Sequence, residues 1–202
     1  MGVYLNPGNV DFQEVLNSKI YVDKSELIQY TNSVLRTTQK YICVSRPRRF
    51  GKSMAANMLT AYYSRGCDSR EMFQGLKIAK HTGFEEHLNQ YNVIHLNMRD
   101  YLTESENMKQ LIQFVEEDLL DELQQEFADL RMPRRRTLVK VLEQAFAQYK
   151  IPFVFIIDEW DCIFRVHKSD AASQKTYLDF LRNLLKDKSY IALAYMTGIL
   201  PI

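Results

Sequence analysis

The sequence predicts an α/β domain built on a mostly parallel central sheet. Three observations carry this. Short continuous apolar runs of strand length alternate with segments whose apolar residues recur at helical spacing. The first of these runs opens through Gly51-Lys52-Ser53 into a helix, and the most apolar run ends at once in two carboxylates. Parallel sheets are covered on both faces, so their strands read as unbroken apolar runs, and ligands collect beyond the strands' carboxyl ends.

The elements follow in order, with residues 1–40 as a lead segment and 41–202 as the core. In the lead, Asn6-Pro7-Gly8-Asn9 is a turn signal, and Ser25 is placed to cap a short helix carrying Leu27, Ile28, Val34 and Leu35. Tyr41 to Val44 is the first strand. The loop Ser45 to Gly51 leads into a helix from Lys52 to about Tyr63, with Met54, Ala55, Met58, Leu59 and Tyr62 on one stripe. Residues 64–92 show no regular pattern, and Val93 to Leu96 is the second strand. Two amphipathic helices come next, one through Met108, Leu111, Val115, Leu119 and Leu123, the other through Leu138, Val141, Leu142 and Ala145. Phe153 to Ile157 is the third strand. A helix near 174–186 buries Tyr177, Leu178, Leu181, Leu184 and Leu185, and Ile191 to Met196 is the last strand.

Composition bounds the function. A chain of 202 residues with 46% hydrophobic and 25% charged residues suits one globular domain with a real core and excludes a disordered or collagen-like protein. Lys and Arg number 26 against 25 Asp and Glu, so the net charge of +1 predicts no strongly attracted polyanion, although local basic patches remain. The 3 cysteines, Cys43, Cys67 and Cys162, lie far apart without a Cys-x-x-Cys pair, as reduced structural thiols do. The N-terminus lacks the regions of a signal peptide, and Asn6 stands where a myristoylation signal needs Ser or Thr. No apolar run approaches the roughly 20 residues of a membrane helix. The expectation is a soluble, cytoplasmic protein with no membrane partner.

The loop Arg46-Pro47-Arg48-Arg49-Phe50-Gly51-Lys52-Ser53 matches the end of the P-loop pattern in its strand–loop–helix setting. Gly51 lets the backbone approach a phosphate, and successive N–H groups through Met54 at the helix start hold the anion. Lys52 neutralises the β and γ phosphates, and the Ser53 hydroxyl ligates Mg²⁺. Arg46 occupies the place of the first glycine. A positive φ there would strain it by about 1–3 kcal/mol, unless the loop opens by another route. Arg48 and Arg49 have three readings: added charge beside the phosphates, a contact for an acidic partner, or a solvated loop tip.

Apolar residues running into Asp158-Glu159 form the Walker B pattern, in which Asp158 supports Mg²⁺ and Glu159 orients and deprotonates the attacking water. The adjacent Glu159 places the domain with the P-loop ATPases that carry a catalytic glutamate, the ASCE division, and away from most small-molecule kinases. There, the strand after Walker B in sequence lies between the P-loop strand and the Walker B strand. It ends in a polar residue that senses the γ-phosphate. Thr197 is the candidate sensor, with a strand-end cap as its alternative. Asn97 and Asp100 are better read as turn residues than as site residues, and Trp160 as a packing anchor rather than a base-stacking platform.

Through Arg46-Pro-Arg-Arg-Phe-Gly-Lys-Ser53, Asp158-Glu-Trp-Asp161 and Met196-Thr-Gly-Ile-Leu-Pro201, the chain resembles the AAA-ATPase-like family of bacterial proteins. Ile20-Tyr-Val-Asp-Lys-Ser25 is also similar to that family's lead into the ATPase core. Archaeal-type STAND ATPases show a similar loop, usually with Gly at the place of Arg46. The resemblance implies a P-loop NTPase of AAA-like type, a three-layer sandwich, with ATP and Mg²⁺ as cofactors. Family members commonly carry a C-terminal PD-(D/E)xK nuclease-like domain. No Asp or Glu in the sequence is followed two residues later by Lys, so the chain is expected to be the ATPase core alone, without its last strand and helical lid.

Other chemistries have less support. His81, His87, His95 and His167 make no metal spacing, and there is no G-x-S-x-G for a serine nucleophile. Arg131-Met-Pro-Arg-Arg-Arg136 is a basic patch without interleaved aromatic residues. It reads as a solvated loop or as a charge partner of the acidic helix before it. The leading expectation is Mg²⁺-ATP binding with hydrolysis. Its alternatives are a non-hydrolysing nucleotide-dependent switch that engages a protein partner or its own copies, and a nucleic-acid-binding protein that uses the Arg clusters.

Overall fold

The computed structural model describes residues 2–199, so Leu200 and Pro201 of the last motif lie outside the described residues. The lead holds α1 (Val10–Leu16) and α2 (Glu26–Val34), and β1 (Tyr41–Ser45) runs through the loop into α3 (Lys52–Tyr63). Then come α4 (Arg70–Gln74), a 3-10 turn (Lys77–Lys80), α5 (Phe84–His87), β2 (Asn92–Asn97), α6 (Met98–Glu104), α7 (Met108–Glu126) and α8 (Leu138–Tyr149). The chain continues through β3 (Phe153–Asp158), α9 (Cys162–Val166), α10 (Ala171–Leu185) and β4 (Ile191–Gly198). The four strands form one parallel sheet in the order β1-β4-β3-β2. As expected, the strand that follows the acidic pair in sequence lies between the loop-bearing strand and the acidic strand.

Alternation along β3 builds the layers. Phe153, Phe155 and Ile157 face one core with Leu111, Val115, Leu142 and Tyr177 from α7, α8 and α10. Val154 and Ile156 face the other, with Phe12, Ile28, Met58, Leu59 and Phe73 from α1 to α4. All six β3 residues are buried, which explains the unbroken apolar run. The result is a three-layer α/β sandwich. No helix of the described residues is long and apolar enough to cross a membrane. The three cysteines are free thiols, and burial pushes Cys43 up to about 11 and Cys162 up to about 12.

The segment before β2 departs from expectation. Residues 70–87 form short helices of four or five residues, too brief to show a period in sequence, and they are pinned by buried aromatics. Phe73 stacks on Phe12 at 5.2 Å and meets Tyr62 edge-on at 5.5 Å. Ser25 is also corrected. It stands at the N-terminus of α2 but makes no cap bond; its buried hydroxyl accepts instead from the Ile78 N–H at 3.1 Å.

The first residues complete the sheet's far edge. Leu5 bridges Ile94 in antiparallel sense, with the Asn6 N–H donating to Val93 at 2.7 Å and the His95 N–H to Tyr4 at 2.9 Å. The Glu122 carboxylate on α7 accepts from the N–H groups of Val3, Tyr4 and Leu5 at 2.7, 3.0 and 2.6 Å. Glu122→Ala would leave three backbone donors without this acceptor. It is expected to lower stability by about 2 kcal/mol, read by denaturant unfolding, and to speed amide exchange at residues 3–6.

His95 gives the fold a pH dependence. Its Nδ1 lies 3.1 Å from the Thr60 hydroxyl, and burial pushes its pKa below the ordinary 6.5 despite the Asp158 charge. Burial lowers His87 as well. A histidine lowered in the fold binds protons more readily when unfolded, so stability falls as pH drops through 6.5 and levels off below the folded values. Thermal unfolding is expected to weaken between about pH 7 and 5, and His95→Gln to flatten that slope.

Candidate phosphate-binding site

The loop after β1 sits at the carboxyl edge of the sheet. Arg46 does not take a positive φ. The turn falls instead at Arg49 (φ 68°) and Gly51 (φ 75°), and the Arg46 N–H donates to the Gly198 carbonyl at 3.2 Å, prolonging the β1–β4 pairing. The loop therefore opens by the second of the two expected routes, with no strain at Arg46. A side chain at Gly51 would also be strained by its φ and would place Cβ 3.0 Å from Lys24 Nζ. Arg46, Pro47, Arg48, Arg49 and Phe50 are exposed.

Helix α3 starts at Lys52, so the N–H groups of Lys52, Ser53 and Met54 lie in its first turn, and the Ala55 N–H already returns to Gly51 at 3.1 Å. Lys52 is buried, and its ammonium donates to the carbonyls of Arg46 at 3.0 Å and Pro47 at 3.1 Å, tying the loop's entry to its exit.

The Ser53 hydroxyl donates to Asp158 Oδ2 at 2.5 Å. That contact joins the helix start after β1 to the end of β3, across the intervening β4. Thr197, buried at the end of β4, donates its hydroxyl to Asp158 Oδ1, and the Glu159 N–H reaches the same oxygen at 2.9 Å. Asp158 is thus 4% exposed with both oxygens engaged.

Glu159 has a positive φ of 54°, a strained conformation for a glutamate. Its carboxylate is ion-paired to Arg165, whose Nε also lies 3.3 Å from Asp161 Oδ2. Burial works against the Arg165 charge, yet the Glu159 and Asp161 carboxylates together raise its pKa above the ordinary value. Asp161 is fully buried and accepts from the Ile199 N–H at 2.9 Å. A Cβ on Gly198 would fall 2.8 Å from the Asp161 carboxyl, so this close approach requires glycine.

Arg48, Arg49, Gly51, Lys52, Ser53, Met54, Arg99 and Glu159 line one open cleft of about 380 Å³. Four cations thus face one carboxylate, itself already paired. Neither Thr197 nor Asp158 is among the residues that line it. Trp160 packs on Phe164 at 5.6 Å and borders an apolar hollow with Tyr41 and Leu178, away from the cleft. A larger hollow of about 940 Å³ beside α1 and residues 68–75 contains none of the candidate residues.

The family follows from a match over nearly the whole chain. A family model described as a predicted AAA-ATPase covers residues 7–202. The chain belongs to the AAA-ATPase-like family. No curated protein matches it.

Two residues of this AAA-ATPase-like chain reach the loop region with no site role assigned from sequence, Arg99 outside the quoted motifs and Lys24 inside the lead motif. Arg99 enters because β2 pairs with β3 in a register that sets Asn97 beside Asp158, and α6 starts immediately. Asn97 itself caps α6 by accepting from the Arg99 N–H at 3.1 Å, the turn role expected of it. Lys24 comes from the lead and donates to the Phe50 carbonyl at 2.9 Å. The Arg131–Arg136 patch lies outside the AAA-ATPase-like cleft, and Arg134, Arg135 and Arg136 are exposed with no ion pair among the described residues.

Proposed function

We propose that the cleft binds ATP with Mg²⁺ and that the chain hydrolyses it. The observation that carries this reading is the 2.5 Å contact between Ser53 and Asp158, which brings a hydroxyl and a carboxylate together beside a helix N-terminus ringed by cations. Ser53 and Asp158 offer hard oxygen donors suited to Mg²⁺. Among the described residues no group of three His, Cys, Asp or Glu side chains could hold a metal. In phosphate sites Mg²⁺ needs only one or two protein oxygens. Held by the Ser53 hydroxyl and the Asp158 carboxylate, Mg²⁺ would supply positive charge against the charge that develops on the phosphates in the transition state.

The chain's own groups supply the rest. The N–H groups of Gly51, Lys52, Ser53 and Met54 hold the β-phosphate, with the α3 dipole behind them. Lys52 sets its charge between the β and γ phosphates, and Arg48, Arg49 and Arg99 add positive potential at the rim. Glu159 orients water against the γ-phosphorus and takes its proton as the new O–P bond forms and the bridging oxygen leaves with ADP. Thr197 senses the γ-phosphate through the Asp158 oxygen that it holds.

A second reading, a nucleotide-dependent switch without turnover, is favoured by the pairing of Glu159 with Arg165, which occupies the carboxylate the reaction needs. Steady-state phosphate release from ATP separates the two. Hydrolysis predicts Mg²⁺-dependent turnover above the level of Glu159→Gln. Turnover equal to that background, with binding intact, supports the switch.

A further inference from the structure

The corner Asp23-Lys24-Ser25 is fixed to the body of the protein on both sides of Lys24. Asp23 Oδ2 accepts from the Lys77 N–H at 2.8 Å, and the buried Ser25 hydroxyl accepts from the Ile78 N–H at 3.1 Å. Between these anchors, Lys24 projects the other way and donates to the Phe50 carbonyl at 2.9 Å, its Nζ close beside Gly51. No peptide of the described chain is cis, so the Phe50 C=O and the Gly51 N–H point in opposite directions across one planar unit. A hydrogen bond that holds the carbonyl from outside therefore fixes the direction of the N–H on the other side. That N–H makes no hydrogen bond among the described residues, and Gly51 lines the cleft.

We propose that Lys24 is a positioning residue for the phosphate loop, holding the Phe50–Gly51 peptide so that the Gly51 N–H points at the β-phosphate of a bound nucleotide. The inference rests on the ATP-binding reading. It gives Lys24 a task distinct from that of Lys52. Lys24 meets no phosphate, and its contribution is paid equally to every nucleotide with a β-phosphate. Arginine can make the same bond to the carbonyl, whereas methionine keeps the length of the side chain and offers neither donor nor charge.

The test is calorimetric titration of ATP and of ADP into the native protein, Lys24→Met, Lys24→Arg and Lys52→Ala, with thermal unfolding of each. Expected is a loss of about tenfold in affinity for both nucleotides in Lys24→Met, recovered in Lys24→Arg, with the unfolding temperature unchanged because Lys24 is exposed. Native-like affinity in Lys24→Met beside lost affinity in Lys52→Ala would overturn the role of Lys24 and leave the ATP reading standing. A loss for ATP alone would make Lys24 a ligand of the terminal phosphate, against the proposal. A lowered unfolding temperature without recovery in Lys24→Arg would make its role structural. No binding by the folded native protein would remove the ATP reading itself, and this proposal with it.

Discussion

Glu159→Gln is expected to keep ATP affinity within about twofold of native and to cut turnover by roughly 10²–10⁴-fold. Glutamine has the size of glutamate and can still orient a water, but it cannot take the proton that the attacking water must lose. The substitution also breaks the ion pair with Arg165, which retains Asp161 as a partner, so the fold should persist. Single-turnover phosphate release locates the effect in the chemical step. Native turnover well above the no-protein level and unchanged in Glu159→Gln would mean that another group takes the proton.

Lys52→Ala is expected to weaken ATP binding by about 10²-fold, because two effects coincide. A charge-assisted contact to phosphate is worth roughly 1.5–3 kcal/mol. The same ammonium also ties the carbonyls of Arg46 and Pro47 to the helix start, so its loss loosens the loop as well. Lys52→Arg should restore little, since the planar guanidinium is larger than the buried ammonium it would replace. Affinity in Lys52→Ala equal to native would place the nucleotide elsewhere.

How much could be read from the sequence depended on how local each signal was. Strands such as Phe153–Asp158 and helices such as α7 and α8 are long enough to show their period, and their boundaries fell close to expectation. The strand order followed from the glutamate after Asp158. The short helices between 70 and 87 were hidden because four or five residues carry no period; buried rings, not repeats, fix them. Arg46 was expected to carry either strain or a detour. The detour runs through Arg49 and Gly51, a choice set by how the loop joins β4. Arg99 and Lys24 were not legible as site residues, since their relevance comes from pairing and packing across the sheet edge. The sequence signal at Lys24 was the lead motif Ile20-Tyr-Val-Asp-Lys-Ser25, which carried no role for that lysine. The engagement of Glu159 with Arg165 follows from the short turn of α9, which the apolar pattern does not mark.

The most direct test is titration of ATP into the native protein with and without Mg²⁺. The account predicts saturable binding of one nucleotide per chain, strengthened by Mg²⁺ through Ser53 and Asp158. No heat of binding in either condition, from a protein that unfolds cooperatively, would contradict it.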